Sequence, residues 1–329
     1  MSTVLVEVGR GGVVECRHYG AIAVVDAEGR RVAGVGDPDL MTFFRSAAKP
    51  FQALPIVTSG AADAFAMTDA ELAVCSASHN GEPAHQAVVT GLLAKLGLDD
   101  GALRCGVVTP IDRQTAAQVV AGLQPPTQLH CDCSGKHSGM LAVCTHRGWP
   151  LETYKEPDHP HQREIRGVIA EFLGVPADGM VTGTDGCGVP TFYASVANIA
   201  RAWALLAAPP APYRDAAGRI LDAMAAEPYM VEGRNRLCTD LMRTVGPAVV
   251  VKTGAEALFC LALRERGLGV AIKIEDGNGR GLPVITASLL SQLGIIDEAT
   301  ADRFLALQSP QLRNHTGTLV GELRPVFAL

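Results

Sequence analysis

The chain has 329 residues, of which 48% are hydrophobic and 19% are charged, and its net charge is −6. A chain of this length can bury a large core, and its acidic balance argues against nucleic acid as a partner. The first residues lack the features of a signal peptide and no apolar run could span a bilayer, so we expect a cytoplasmic protein with no membrane partner and reduced thiols among its nine cysteines.

The predicted elements begin with a β-hairpin formed by residues 20–26 and 31–35 around Gly29. Thr68 and Glu71 form a capping box that predicts a short helix ending before Ser78. Further helices are predicted over residues 81–96, 113–123, 140–144, 158–173, a stretch ending near 208, 213–226, 233–245 and 283–293, and strands over 248–252, 258–264 and 268–275. Strands near both chain ends with helices between them predict an α+β fold with a mainly antiparallel sheet that joins the two ends. Residues 209–212 are rich in proline and form a possible linker, although the stretch is too short to establish a domain boundary.

A serine and a lysine, Ser46 and Lys49, lie three residues apart, directly before Pro50. Proline suits the first turn of a helix, and the spacing places both side chains on one helix face, where a neutral amine could take a proton from the hydroxyl. Ser78-His79-Asn80 and Lys252-Thr253-Gly254 follow, in the order of the S-x-x-K, S-D-N and K-T-G elements of serine β-lactamases. The short spacing between the first two motifs favours shared chemistry on a different substrate. A serine helix cap beside a solvated lysine is the alternative for the first motif alone.

A second group of candidates is rich in cysteine. Residues 131–139 are predicted to form a loop of small and polar residues, and they contain Cys133 and Lys136. Together with Cys187, these could supply zinc ligands, with further candidates at Cys131, His137 and Cys238. The chain has no C-x-x-C pair, so buried inert thiols remain an alternative, as does redox sensing by Cys131 and Cys133.

Taken together, the motifs resemble those of the rhizobial-type L-asparaginases, the asparaginase II family. The resemblance covers nearly the whole chain and is carried by Arg45-Ser46-x-x-Lys49-Pro50-Phe51-Gln52, Ala77-Ser78-His79-x-Gly81-Glu82, Cys133-Ser134-Gly135-Lys136-His137, Asp185-Gly186-Cys187-Gly188-Val189-Pro190, Lys252-Thr253-Gly254-Ala255-Glu256 and Lys273-x-Glu275-Asp276-Gly277. It implies a single catalytic domain over residues 1–329, a fold like that of serine β-lactamases and glutaminases, and a homodimer.

The resemblance also implies a set of site residues. These are two Ser–Lys tandems, Ser46–Lys49 and Ser78–Lys252, a zinc ion held by Cys133, Lys136 and Cys187, and pocket residues at Arg45, His137 and Asp185. The chain departs from the family at residues 106–110, where many members carry a histidine after the glycine, and at Cys131-Asp132, where asparagines are common. Both departures concern the polarity of the pocket.

These residues predict hydrolysis of L-asparagine to aspartate and ammonia. Ser46 would attack the amide carbon and neutral Lys49 would accept its proton, while Ser78 and Lys252 would protonate the leaving ammonia and activate water. We expect burial and the cations Arg45 and Lys252 to lower the pKa of Lys49. Three alternatives remain open: a glutaminase or β-lactam hydrolase using the same residues, a non-catalytic protein that binds zinc or an amino acid, and a thiol redox sensor.

Overall fold

The computed structural model describes residues 3–329 and contains helices and two sheets. The strands are β1 (Thr3–Arg10), β2 (Val13–Asp26), β3 (Arg31–Val35), β4 (Met41–Phe43), β5 (Thr182–Thr184), β6 (Pro190–Ser195), β7 (Val249–Gly254), β8 (Leu258–Leu263), β9 (Leu268–Ile274), β10 (Gln311–Arg313) and β11 (Leu319–Pro325). The larger sheet has the order β10-β11-β1-β2-β9-β8-β7, with β3 paired to β2, and the smaller has the order β4-β6-β5. The pairings in the larger sheet are antiparallel. Strands from both chain ends therefore share one sheet, which confirms the predicted α+β class.

The helices fill most of the remaining chain. They are α1 (Lys49–Thr58), α2 (Ala61–Ala64), α3 (Asp69–Cys75), α4 (Pro83–Lys95), α5 (Arg113–Val120), α6 (Ser134–Arg147), α7 (Pro160–Leu173), α8 (Val196–Ala207), α9 (Arg214–Ala226), α10 (Pro228–Val231), α11 (Leu237–Val245), α12 (Leu282–Gln292) and α13 (Glu298–Gln308). None of the helices within residues 3–329 combines the length and the apolar character needed to cross a membrane.

The chain forms two compact units. The sheet unit contains residues 3–42, 194–208 and 235–329. Its larger sheet is covered by α8, which packs against β9, β2 and β8. Gly269 of β9 permits this close packing, because a Cβ atom there would lie 2.0 Å from the carbonyl oxygen of Ala200.

The helical unit contains residues 43–193 and 209–234. In its core, α1 packs against α6, α7 and α9, while α3 packs against α6 and α9. Every residue of α1 from Lys49 to Val57 is buried, so this helix carries a lysine amine into the interior together with its apolar side chains. A buried amine must find hydrogen-bond acceptors inside the protein, and those acceptors define the candidate site.

Most of the predicted elements are present. The hairpin of β2 and β3 and the capping box of Thr68 and Glu71 are confirmed. The prediction of a loop over residues 131–139 was wrong, because α6 already begins at Ser134 and Gly148 ends it in a left-handed conformation. Strands β1, β10 and β11 and helix α13 were not predicted. The chain passes from one unit to the other between Ala208 and Pro209, next to the proline-rich stretch. A single catalytic domain stays a prediction.

Candidate active site

The helical unit contains nine of the ten predicted site residues, namely Arg45, Ser46, Lys49, Ser78, Cys133, Lys136, His137, Asp185 and Cys187. The tenth, Lys252, lies on β7 of the sheet unit, where its amine donates to the Thr253 carbonyl at 2.9 Å. Thr253 N–H in turn donates to Cys238 Sγ at 3.2 Å. The pairing of Ser78 with Lys252 stays a prediction.

Ser46 lies in a single 3-10 turn, Arg45–Ala48, that leads directly into α1. The turn starts from a strained residue, since Arg45 has φ of +47°, a region that costs a residue with a side chain about 1–2 kcal/mol. Two contacts hold Arg45 there: its N–H donates to Thr191 Oγ1 at 3.0 Å, and its Nε donates to Asp185 Oδ1 at 2.9 Å. The half-buried Ser46 is thus placed at the start of the helix, as the sequence predicts.

Lys49 is the first residue of α1 and is completely buried. Its Nζ donates to the Ala77 carbonyl at 2.5 Å and to Ser78 Oγ at 2.8 Å, and it lies 3.8 Å from Asp132 Oδ2. The serine that Lys49 contacts is therefore Ser78, although Ser46 is the nearer one in sequence. The Lys49 amine of the first motif therefore contacts the serine of the second motif.

The expectation of a lowered pKa for Lys49 was wrong. Burial acts to lower it, but the negative charges of Cys133 and Asp132 outweigh burial and raise the pKa of Lys49 above its ordinary value. The cations Arg45 and Lys252 are evident in the sequence, whereas the proximity of the anions Cys133 and Asp132 to Lys49 is evident only in the structure. At neutral pH in the metal-free protein, Lys49 is therefore an ammonium group that donates to Ser78.

Backbone hydrogen bonds fix the segment that carries Ser78. Ser78 N–H donates to the Val231 carbonyl at 3.0 Å, and His79 N–H donates to the Asp132 carbonyl at 3.1 Å. Gly81 follows with φ of +76°, and a Cβ atom there would lie 2.8 Å from the His130 carbonyl oxygen, so only glycine fits. The serine is held next to Asp132 by the main chain as well as by Lys49.

The predicted zinc ligands Cys133, Lys136 and Cys187 meet in the interior. Cys133 is the residue before α6, Lys136 lies in its first turn, and Cys187 lies in the tight turn between β5 and β6. Lys136 Nζ donates to Cys187 Sγ at 3.0 Å. A hydrogen bond with Cys133 lowers the pKa of Cys187 to about 5 against the effect of burial, and the Lys136 ammonium adds to the lowering. In the absence of metal this is a thiolate–ammonium pair.

The donor set suits zinc. Two thiols and one amine converge, and sulfur and nitrogen are donors that zinc prefers. Burial opposes the charge on Lys136, but Cys187 and Cys133 raise its pKa well above the ordinary value, so the amine would have to give up a proton before it could bind a metal. Beside this set, ligand atoms of Cys131, Asp132 and Cys133 lie within 4.8 Å of one another.

His137 follows Lys136 on α6 and is completely buried. Its Nδ1 lies 2.5 Å from Tyr154 Oη. The same oxygen has a second neighbour, Arg104 N–H, which donates to it at 3.0 Å. Burial, reinforced by the Lys136 ammonium, lowers the pKa of His137 to about 3, so the imidazole is neutral. Its other nitrogen, Nε2, has no hydrogen-bond partner among residues 3–329.

Sequence reasoning missed Asp132, Thr191 and Tyr154 as contributors to this site. Asp132 had a local signal, since it lies between two cysteines, whereas Tyr154 lies in a stretch without any motif and Thr191 lies one residue after the motif at 185–190. Their positions depend on how distant segments meet, which spacing alone does not reveal.

The chain belongs to the L-asparaginase II family, whose profile matches residues 6–325. This confirms the family that the sequence motifs indicate, and it makes the protein an enzyme of an amidohydrolase family with a small-molecule substrate.

Solved structures that the chain matches include a β-lactamase from Mycobacterium bovis, a putative β-lactamase from Bacteroides dorei and Mglu in its Tris and glutamate form. The first is 15% identical, with 83% of this chain and 94% of that chain covered and a TM-score of 0.38. The second is 12% identical, with coverage of 83% and 93% and a TM-score of 0.41. Mglu is 16% identical, and the match covers 84% of this chain but only 59% of Mglu, with a TM-score of 0.38. Similarity at this level carries no argument about the fold or the chemistry of this chain. No curated protein matches the chain.

Proposed function

We propose that this protein hydrolyses the side-chain amide of L-asparagine to aspartate and ammonia. The observation that carries the proposal is the buried Lys49 amine, which donates to Ser78 at 2.8 Å from the helix turn that follows Ser46. In a member of the L-asparaginase II family, a buried lysine that contacts one serine and follows another by three residues can serve as the base for acyl transfer.

In the proposed mechanism, the Ser46 hydroxyl attacks the amide carbon and its proton passes to neutral Lys49. The acyl–enzyme forms as the C–N bond breaks, and the leaving nitrogen departs as ammonia after it takes up a proton. Water then attacks the ester and regenerates Ser46. The Lys49–Ser78 hydrogen bond provides a path for the proton from the base toward Ser78, which we propose acts with Lys252. Because its pKa is raised, Lys49 must first lose its resting proton.

We also propose that zinc, one ion per chain, is held by Cys133, Lys136 and Cys187. When bound, zinc would supply a positive charge that polarises or orients a substrate oxygen. Arg45, with its guanidinium fixed by Asp185, would contribute a second positive charge on the substrate side. A homodimer and a cytoplasmic location are further proposals, and light scattering of the purified protein tests the former.

The decisive assay measures ammonia release from L-asparagine and L-glutamine, with a chromogenic β-lactam in parallel. We expect L-asparagine to be the preferred substrate. Higher kcat/KM for L-glutamine or the β-lactam would identify one of the related hydrolases, and no turnover of any of the three would favour a non-catalytic binding protein.

Ser46→Ala tests the nucleophile and should lower kcat by roughly 1,000-fold or more. Ser59→Ala is the matched control, because Ser59 directly follows the C-terminal end of α1, whereas Ser46 lies in the turn before its first residue, so Ser59 should tolerate the change. Turnover of Ser46→Ala within a few-fold of the parent would exclude Ser46, and the same assay on Ser78→Ala would then test the serine that Lys49 contacts.

A further inference from the structure

The buried pair of His137 and Tyr154 has a hydrogen-bond arrangement that can be resolved proton by proton. Both side chains are completely buried. Tyr154 Oη has two neighbours, Arg104 N–H at 3.0 Å and His137 Nδ1 at 2.5 Å. The backbone N–H can only donate, so it occupies a lone pair of the phenol oxygen. The phenol hydrogen therefore has a single acceptor among residues 3–329, which is His137 Nδ1.

This arrangement determines where the imidazole proton lies. A nitrogen that accepts the phenol hydrogen carries no proton of its own, so the proton of the neutral ring is on Nε2. The opposite tautomer would leave two groups without partners, the phenol hydrogen and the Nε2 lone pair. The tautomer with the proton on Nε2 leaves one, and buried polar groups without partners are costly.

The remaining group is then a buried N–H donor. His137 Nε2 has no partner within the described part of the chain, residues 3–329. His137 lies one residue after Lys136 in the first turn of α6, close in sequence to the proposed zinc ligand Cys133. A buried donor without a partner, in a candidate active site, is typical of a position that a ligand acceptor completes.

We infer that Tyr154 is a positioning residue that holds His137 in the neutral form with its proton on Nε2, so that Nε2–H donates to an oxygen of the bound amino-acid ligand. Carboxylate and amide oxygens are the acceptors that this chemistry fits, because a neutral N–H can donate to both. His137 Nε2 is consequently a hydrogen-bond donor and not a metal ligand. The tautomer rests on the geometry alone, whereas the identity of the ligand rests on the proposed function.

The first experiment reads the tautomer directly. Protein labelled with ¹⁵N-histidine and purified without a histidine tag contains nine histidines, and His137→Gln assigns the signal of interest. We expect a two-bond ¹H–¹⁵N spectrum in which His137 has its proton on Nε2 and an acceptor nitrogen at Nδ1. A proton on Nδ1, a doubly protonated ring, or a metal on Nε2 would overturn the inference, whatever substrate the enzyme uses.

The second experiment tests the role of Tyr154. Tyr154→Phe removes the phenol and keeps the ring, so we expect His137 to populate both tautomers and kcat/KM for L-asparagine to fall on the order of 10-fold or more, as for other residues that orient a functional histidine. Tyr213→Phe is the matched control, because the Tyr213 phenol donates to the exposed Glu171 and its removal should leave both readouts unchanged. An unchanged tautomer in Tyr154→Phe would contradict the positioning role.

The third experiment tests the ligand. Titration of the wild-type protein with L-aspartate, the proposed product, should shift the His137 Nε2–H proton resonance to lower field as an oxygen acceptor arrives. This readout needs no variant, so it decides even if Tyr154→Phe does not fold. Binding of L-aspartate without a change at Nε2–H would place the ligand elsewhere. If L-aspartate does not bind but the tautomer is as expected, the proposed substrate fails while the arrangement of His137 and Tyr154 stands.

Discussion

The helical unit contains two buried lysines with different surroundings. Lys49 is surrounded by oxygen: the Ala77 carbonyl at 2.5 Å, Ser78 Oγ at 2.8 Å and Asp132 at 3.8 Å. Lys136 instead donates to sulfur, with Cys187 Sγ at 3.0 Å. Both amines have a raised pKa because nearby anions outweigh the cost of burial.

The difference indicates which lysine can pass its proton to a neighbouring group and which can give it up to bind a metal ion. The oxygens around Lys49 include a serine hydroxyl, which both donates and accepts, so a proton can pass between the two groups. The partner of Lys136 is a thiolate, which binds soft metals strongly, so a metal can replace the proton between sulfur and nitrogen. Similar burial and charge thus suit one lysine to proton transfer and the other to metal binding.

Replacing each lysine by methionine gives the largest expected effects and tests this distinction. Lys49→Met should lower kcat by roughly 1,000-fold or more and leave the zinc content unchanged, because it removes the base but none of the ligands. Lys136→Met should reduce zinc content and lower activity by about 10- to 100-fold, the range typical for residues that support a metal site. Activity and metal analysis of both variants check this.

The distinction fails if the two variants behave alike. Equal losses of zinc would mean that Lys49 also supports the metal. Equal losses of kcat at full zinc occupancy would mean that Lys136 takes part in proton transfer.

Metal content gives the second test. Cys187→Ala should reduce zinc from about one ion per chain to background, since a site with one remaining thiol and an amine binds zinc weakly. Cys144→Ala is the control, because Cys144 is buried on the same helix as Lys136 but lies eight residues further along it. Elemental analysis after expression in zinc-supplemented medium decides, and absence of zinc from the parent protein would refute the metal site.

The sequence identifies the motifs that contain Lys49 and Lys136, but it does not show which distant residues each lysine contacts. The motifs Ser46–Lys49 and Cys133–Lys136 each span the start of one helix, where a spacing of three residues brings side chains close together. The contact of Lys49 with Ser78 joins residues 29 positions apart, and that of Lys136 with Cys187 joins residues 51 apart. Such contacts follow from the packing of α1 and α6 in the core, which local patterns do not encode.

The same reasoning explains why the pKa of Lys49 was predicted in the wrong direction. Burial and charge act in opposite directions on a lysine, so the sign depends on which charges lie within a few ångströms. Arg45 and Lys252 were conspicuous in the sequence, whereas Asp132 and Cys133 were assigned to a loop rather than to the neighbourhood of Lys49. The fold class was easier to predict, because it depends on the order of strands and helices alone.

The pH dependence of stability in the zinc-free protein is the third test. The folded pKa of Cys187, about 5, lies below the ordinary value of 9.0, so the thiolate contributes stability above pH 9 that is lost as the pH falls toward 5. The pKa of His137 is lowered from 6.5 to about 3. Stability therefore continues to fall below pH 6.5, because the unfolded chain then binds a proton at His137 that the folded protein excludes.

The free energy of unfolding should therefore fall with decreasing pH, by at most about 1.4 kcal/mol per pH unit for each proton. Urea denaturation of the chelator-treated protein between pH 9 and 5 measures the slope. Cys187→Ser should flatten the curve in that range, whereas Cys144→Ser should not. A curve that is equally steep without Cys187 would show that the thiolate–ammonium pair is absent.

The smallest expected effect is that of Asp132→Asn, which tests the oxygen surroundings of Lys49 by charge alone. The amide has the shape of the carboxylate, and Asp132 Oδ2 lies 3.8 Å from Lys49 Nζ. The side chain of Asp132 is 34% exposed, so solvent weakens its field, and Cys133 has the larger effect on the pKa of Lys49.

Removing the carboxylate should lower the pKa of Lys49, so that the amine becomes neutral at a lower pH. Because Lys49 can act as a base only when neutral, we expect kcat/KM to rise toward alkaline pH. In Asp132→Asn this rise should move to lower pH, with the plateau and the zinc content unchanged. Asp178→Asn removes an exposed carboxylate from the same unit and should leave the profile in place. A midpoint that stays fixed in Asp132→Asn, or moves upward, would mean that the alkaline limb reports a group other than Lys49, and the proton-transfer role assigned to this lysine would then pass to another base.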